Sequence, residues 1–152
     1  MRAINHALTG AIIGLSIEQP AIALPLAFAS HYVLDAIPHF DLYGDRTNRW
    51  LKQKSFRVLL GVDALLCAAL VAILVVSKPH NWLVAIMCAF LGALPDAFSF
   101  LRYKHVNDGQ VHHANRYERF ASKIQWFERP IGWVVEVAWF IGAIIVLVPL
   151  VH

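Results

Sequence analysis

The sequence predicts an all-α protein: a polytopic integral membrane bundle of about five helices, with one further amphipathic helix at the membrane interface. Three observations predict it. Hydrophobic residues make up 59% of the 152 positions and charged residues only 15%, the balance of a membrane protein rather than a soluble domain. Two apolar runs reach the roughly 20 residues that a bilayer crossing needs. Lys and Arg gather between Arg46 and Arg57 and between Arg102 and Arg129, and are nearly absent elsewhere. The length fits one membrane-embedded domain over 1–152.

Ala3 to Ile17 is apolar but short for a full crossing, and Glu18-Gln19-Pro20 interrupts it. Ala21 to Ile37 follows, with Pro25 near its start and Pro38 at its end, so the two runs read as a helical hairpin. Phe56 to Ser77 is a full crossing. Asn81 to Leu101 is apolar but holds Gly92 and Pro95, which predict a kink or an early end in its second half. In NRYERFASKIQWFE, Tyr117, Phe120, Ile124 and Phe127 recur at roughly helical spacing with Arg116, Arg119 and Lys123 between them. That is the pattern of a basic amphipathic helix at headgroup level. Pro130 to Val151 is the last crossing. Trp50, Trp82 and Trp126 fall near the ends of these elements, where interfacial tryptophans belong.

A cytoplasmic N-terminus puts both basic loops inside and leaves Lys78 as the one Lys or Arg on the outer side. The positive-inside rule therefore favours an inner-membrane protein with its N-terminus in and its C-terminus out. No A-x-A-like cleavage site suggests a removable signal. The net charge of +3 comes with no phosphate loop and no nucleic-acid module, so nucleic acid is not expected as a partner. Cys67 and Cys88 sit in apolar runs without metal-like spacing and read as small buried hydrophobes.

The ionisable residues are the anomaly. On this topology His6, His31, Asp35, His39, Asp41 and Asp96 all fall near the inner leaflet, and His112 and His113 on the second inner loop. Asp63, six residues past Arg57, and Glu136, six past Pro130, each lie about 9 Å along a helix from the same side. A charge inside a span costs at least about 2.5 kcal/mol, so it normally faces a partner or a cavity. In SHYVLDAIPHFD, His31 and Asp35 are i, i+4 and share a helix face. Pro38 then allows His39 and Asp41 to turn back towards the same centre.

Mixed imidazole and carboxylate donors suit a divalent metal, zinc first and manganese or iron next, with one or two ions. Such a centre activates a bound water for displacement at phosphorus. The expected function is metal-dependent hydrolysis of a phosphoester, with membrane lipid as the substrate and partner. In that scheme Asp63 is a ligand or catalytic group, Glu136 a ligand or general base, His112 a further ligand, and Arg116 and Arg119 neutralise phosphate. Two alternatives use the same residues: a metal-ion or proton transporter, and a non-catalytic membrane interaction protein held by buried ion pairs. The uninterrupted apolar outer halves of the third and last crossings, Ala68 to Val76 and Ile141 to Leu150, fit a one-sided pocket better than a path.

The elements NHALTGAIIG, SHYVLDAIPHFD, an Asp early in the next span, and LGALPDAF resemble the small membrane-bound metal-dependent hydrolases of bacteria and archaea. The likeness covers about the first two thirds of the chain. More distantly, the His-x-x-x-Asp helix resembles the zinc-dependent phospholipase C group. The resemblance implies that His6, His31, Asp35, His39, Asp41 and Asp96 are metal-site residues. The chain departs from the phospholipase group in lacking a later His-x-x-x-Glu pair: Glu118 stands six and five residues after His112 and His113.

Overall fold

The computed structural model describes residues 1–40, 54–107, 115–124 and 131–152, with side chains at 99–107 and 122 left undescribed. Asp41, Trp50, His112, His113, Trp126, Phe127 and Pro130 lie outside the described residues. The described residues form six helices and no strand: α1 Ala3–Ser16, α2 Pro20–Asp35, α3 Lys54–Ser77, α4 Trp82–Asn107, α5 Arg116–Ile124 and α6 Gly132–Val151.

The breaks follow local chemistry. Ile17 takes an extended conformation after α1, and Pro20 opens α2 in the first turn, where its missing N–H has no helical partner to lose. Pro38 disfavours the helical region for Ile37, and α2 has stopped at Asp35. Past α3, Lys78 and Asn81 take positive φ values of 45° and 62°, and Trp82 N–H donates to Pro79 O at 3.1 Å to start α4. An early end of α4 at Pro95 is not what forms: the helix runs through this residue to Asn107. Pro95 is fully buried, and packing against α1 in the preceding turn outweighs the one helical hydrogen bond the ring removes.

That packing is backbone against backbone. A Cβ on Gly14 would come within 2.6 Å of Ala85 Cα, one on Gly92 within 2.6 Å of His6 O, and one on Gly10 would collide with the Cys88 carbonyl. Residues 14, 10 and 6 of α1 thus meet 85, 88 and 92 of α4 in antiparallel register. Small residues are what permit helices to approach so closely. Leu8, Leu70, Leu74, Ala85, Ala143 and Leu147 continue this seam as the apolar core joining α1, α3, α4 and α6.

α3 and α6 have 24 and 20 residues, about 36 and 30 Å at 1.5 Å per residue. Both are long and apolar enough to cross a membrane. Each buries only a narrow stripe; Leu65 is 70% exposed, Val76 84% and Ile145 67%. A contiguous apolar exterior of this kind meets lipid or a partner, since water penalises it. α1 and the first part of α4 are shorter apolar helices.

α5 is closed at its start by a reciprocal capping box: Asn115 N–H donates to Glu118 Oε2 at 2.8 Å, and Glu118 N–H to Asn115 Oδ1 at 2.9 Å. Its apolar face docks on the bundle through Phe120 against Tyr32 and Tyr117 against Phe98.

Candidate metal centre

One end of the bundle gathers the polar side chains: the starts of α1, α3 and α6, the end of α2 and the second half of α4. This follows from the antiparallel arrangement, which returns α2 and α4 to the level where α1 began. His6, His31 and Asp35 are all buried there, and Asp96 is partly open.

Four side chains converge. His31 Nε2 lies 3.2 Å from Asp35 Oδ2 and 3.9 Å from Asp96 Oδ1, and His6 Nε2 lies 3.1 Å from Asp35 Oδ1. One ligand atom each from His6, His31 and Asp96 falls within 4.8 Å of the others. Donors around a tetrahedral ion with bonds of 2.0–2.1 Å stand roughly 3.3 Å apart, so this spacing already approaches that of a coordination shell.

The ring orientations support the same reading. His31 Nδ1 is 2.8 Å from Gly92 O, and a carbonyl only accepts, so Nδ1 carries the proton. Nε2 therefore turns its other side to the carboxylates. A carbonyl-anchored imidazole is the usual support of a metal-bound histidine. Neither nitrogen of His6 meets the criteria of a hydrogen bond among the described residues, and the nearest carboxylate oxygen, Asp35 Oδ1, stands 3.1 Å from Nε2. The two imidazoles stack with centroids 3.9 Å apart, and like charge on both rings would repel. Two carboxylates facing two ring nitrogens need a shared positive charge. The Met1 ammonium, 2.5 Å from Asp35 Oδ1, supplies one such charge.

The other expected site residues take separate places. Asp63, near the start of α3, pairs with Arg2 Nε at 3.0 Å, and the same guanidinium donates to Leu59 O at 2.8 Å. His39 is buried, with its Nδ1 2.9 Å from Ile37 O, and its backbone abuts Gly132 of α6. Glu136 Oε1 accepts from Phe40 N–H at 3.4 Å. His39 and Glu136 thus form a second group where the chain leaving α2 meets α6. Asp41 and His112 lie outside the described residues. Arg116 and Arg119 are exposed on α5.

Sequence reasoning did not single out Arg2, Asn5 or Tyr32, and read Tyr117 only as part of the apolar face of the amphipathic helix. Arg2 and Asn5 were legible only as neighbours of His6, on the turn that opens α1. Tyr32 stands edge-on to His31 with centroids 5.4 Å apart, and its hydroxyl reaches towards that of Tyr117 at 3.5 Å. Burial pushes the Tyr117 phenol up from its ordinary value, with the Tyr32 hydroxyl adding to the shift. α5 is therefore seated directly beside the His31 end of the cluster. No family model, curated protein or solved structure matches the chain.

Proposed function

We propose that the protein is a polytopic inner-membrane protein that hydrolyses a phosphoester, with membrane lipid as the substrate class, at a divalent metal centre on the cytoplasmic side. The observation that carries the reading is the convergence of ligand atoms from His6, His31 and Asp96 within 4.8 Å of one another, with Asp35 close to both imidazoles. The resemblance to small membrane-bound metal-dependent hydrolases supports it through the same four positions.

In this reading α1 to α4 and α6 are the membrane-embedded helices, with the N-terminus inside and the C-terminus outside, and α5 lies at the headgroups. His6 and His31 hold the ion through Nε2, with Asp35 and Asp96 balancing its charge; zinc suits two imidazoles and two carboxylates. A bound ion of this kind supplies Lewis acidity and an activated water for displacement at phosphorus. Gly92 O fixes the His31 tautomer. Arg2 holds Asp63 beside the start of α1, and Glu136 is the buried carboxylate available to accept or return a proton. Arg116 and Arg119, on the helix seated beside the cluster, are placed to meet phosphate.

Transport is the weaker reading for a stated reason. Beyond His6 the described interior is the packed seam of Leu8, Ala11, Leu74, Ala85 and Ala143, and none of the buried ionisable side chains among the described residues lies along it to pass an ion. Purified protein assayed on a panel of lipid phosphoesters, with zinc and with chelator, tests the proposal. Chelator-sensitive release of phosphate or headgroup is expected. Zinc flux into liposomes without turnover would replace hydrolysis by transport.

A further inference from the structure

A second site lies on the opposite side of α1 from the α4 seam. α3 and α6 stand apart there and leave a cleft of about 490 Å³, within the usual range for a small-molecule site. Its walls are apolar: Leu59, Val62 and Leu66 from α3, Trp133, Val137 and Phe140 from α6. Arg2, Asn5 and Glu136 are its polar lining residues.

The hydrogen bonds define what those three groups can still take. Asn5 Nδ2 donates to Glu136 O at 3.1 Å, and because a carbonyl only accepts, the orientation of the Asn5 amide is fixed. Its Oδ1 then has no partner among the described residues, although Asn5 is only 1% exposed. A buried acceptor left without a donor is unfavourable. Glu136 beside it is a second acceptor, with one long contact from Phe40 N–H among the described residues. Arg2 donates its Nε–H to Asp63 and one Nη2–H to Leu59 O, which leaves further N–H groups to meet an ester oxygen. At Asn5, the polar group that completes the cleft is a hydrogen-bond donor on an apolar body.

We propose that the α3–α6 cleft binds a lipid alcohol, its hydrocarbon chain between the helices and its one hydroxyl proton donated to Asn5 Oδ1, with Glu136 alongside. The cleft opens between the two helices that are long and apolar enough to cross a membrane, so lipid is the apolar material at its mouth. This rests on the hydrolase reading for one point: when water attacks phosphorus and the P–O bond to the lipid breaks, the water's OH stays on phosphorus and its proton passes to the departing oxygen, so an ester oxygen that could only accept becomes such a hydroxyl. The cleft is then a holding site for the alcohol that the centre releases.

The test uses full-length protein in phosphatidylcholine vesicles with two probes: a diacylglycerol carrying a diazirine on one acyl chain, and its methyl ether, which lacks the donor. Crosslinks are expected at the cleft faces of α3 and α6. Val62→Trp, which fills the cleft, should abolish them, and the alcohol should out-label the ether about tenfold, the worth of one hydrogen bond to a buried acceptor. Asn5→Leu should remove that preference while retaining labelling. His31→Ala should change none of this, so labelling without turnover in wild-type protein would overturn the hydrolase reading and leave the cleft standing. Labelling spread around the outer faces of α3 and α6 and unaffected by Val62→Trp would overturn the cleft. So would equal labelling by alcohol and ether, or crosslinks joining two copies of the chain through this face.

Discussion

α1 meets its neighbours in two contrasting ways. Against α4 it packs backbone to backbone, through Gly10, Gly14 and Gly92, with no room for a methyl group. Towards α3 and α6 it leaves a cleft walled by large apolar side chains. The close face sets a rigid register, and that register brings His6 beside His31 and puts Gly92 O against the His31 ring. The open face leaves space and unsatisfied polar atoms. A site that must hold an ion needs the first kind of contact, and one that must admit a lipid needs the second.

Breaking the close face should have the largest effect. Gly10→Leu forces a side chain into the Cys88 carbonyl, and main chain cannot move aside as a rotamer can. About 3 kcal/mol or more of stability should be lost, read as denaturant or thermal unfolding in detergent. Gly142→Leu is the contrast: a Cβ there meets nothing within 4 Å, and the change should stay within about 0.5 kcal/mol.

Leu74→Ala should come next. This side chain is fully buried in the core between the helices, and its loss leaves a cavity worth about 2–3 kcal/mol. Val76→Ala, 84% exposed in the next turn of the same helix, should cost almost nothing by the same unfolding measurement.

The smallest expected effect is at the α5 docking contact. Tyr117→Phe removes one hydroxyl from a 3.5 Å pair and should cost under about 1 kcal/mol. Because burial raises the Tyr117 phenol, a spectroscopic titration should include a tyrosine step above the ordinary value of about 10 that is lost in Tyr117→Phe.

Much of this architecture could be read from residue order. Length and apolarity announced α3 and α6, Glu18-Gln19-Pro20 announced the break after α1, and the spacing of Tyr117, Phe120 and Ile124 announced α5. The i, i+4 pair His31 and Asp35 was legible because helix geometry alone puts both on one face. Partners across helices were not. Nothing local says that Asp63 meets Arg2, or that His39 turns to Gly132 and Glu136, because those contacts depend on how the helices pack. Pro95 misleads for the same reason: its local preference is to end a helix, and the fit of α4 against α1 overrides it. Gly10 and Gly14, spaced four apart in NHALTGAIIG, were the available sign of the close crossing.

If His6, His31, Asp35 and Asp96 form a metal centre, as proposed, elemental analysis of the purified protein will show it. Wild-type protein should hold one or two equivalents of zinc, manganese or iron per chain. Occupancy should fall as the pH is lowered, because protons compete with the metal for the imidazole nitrogens. The folded double variant His31→Ala, Asp35→Asn should hold close to none. Equal, near-zero metal in both proteins after loading with zinc at neutral pH would contradict the claim.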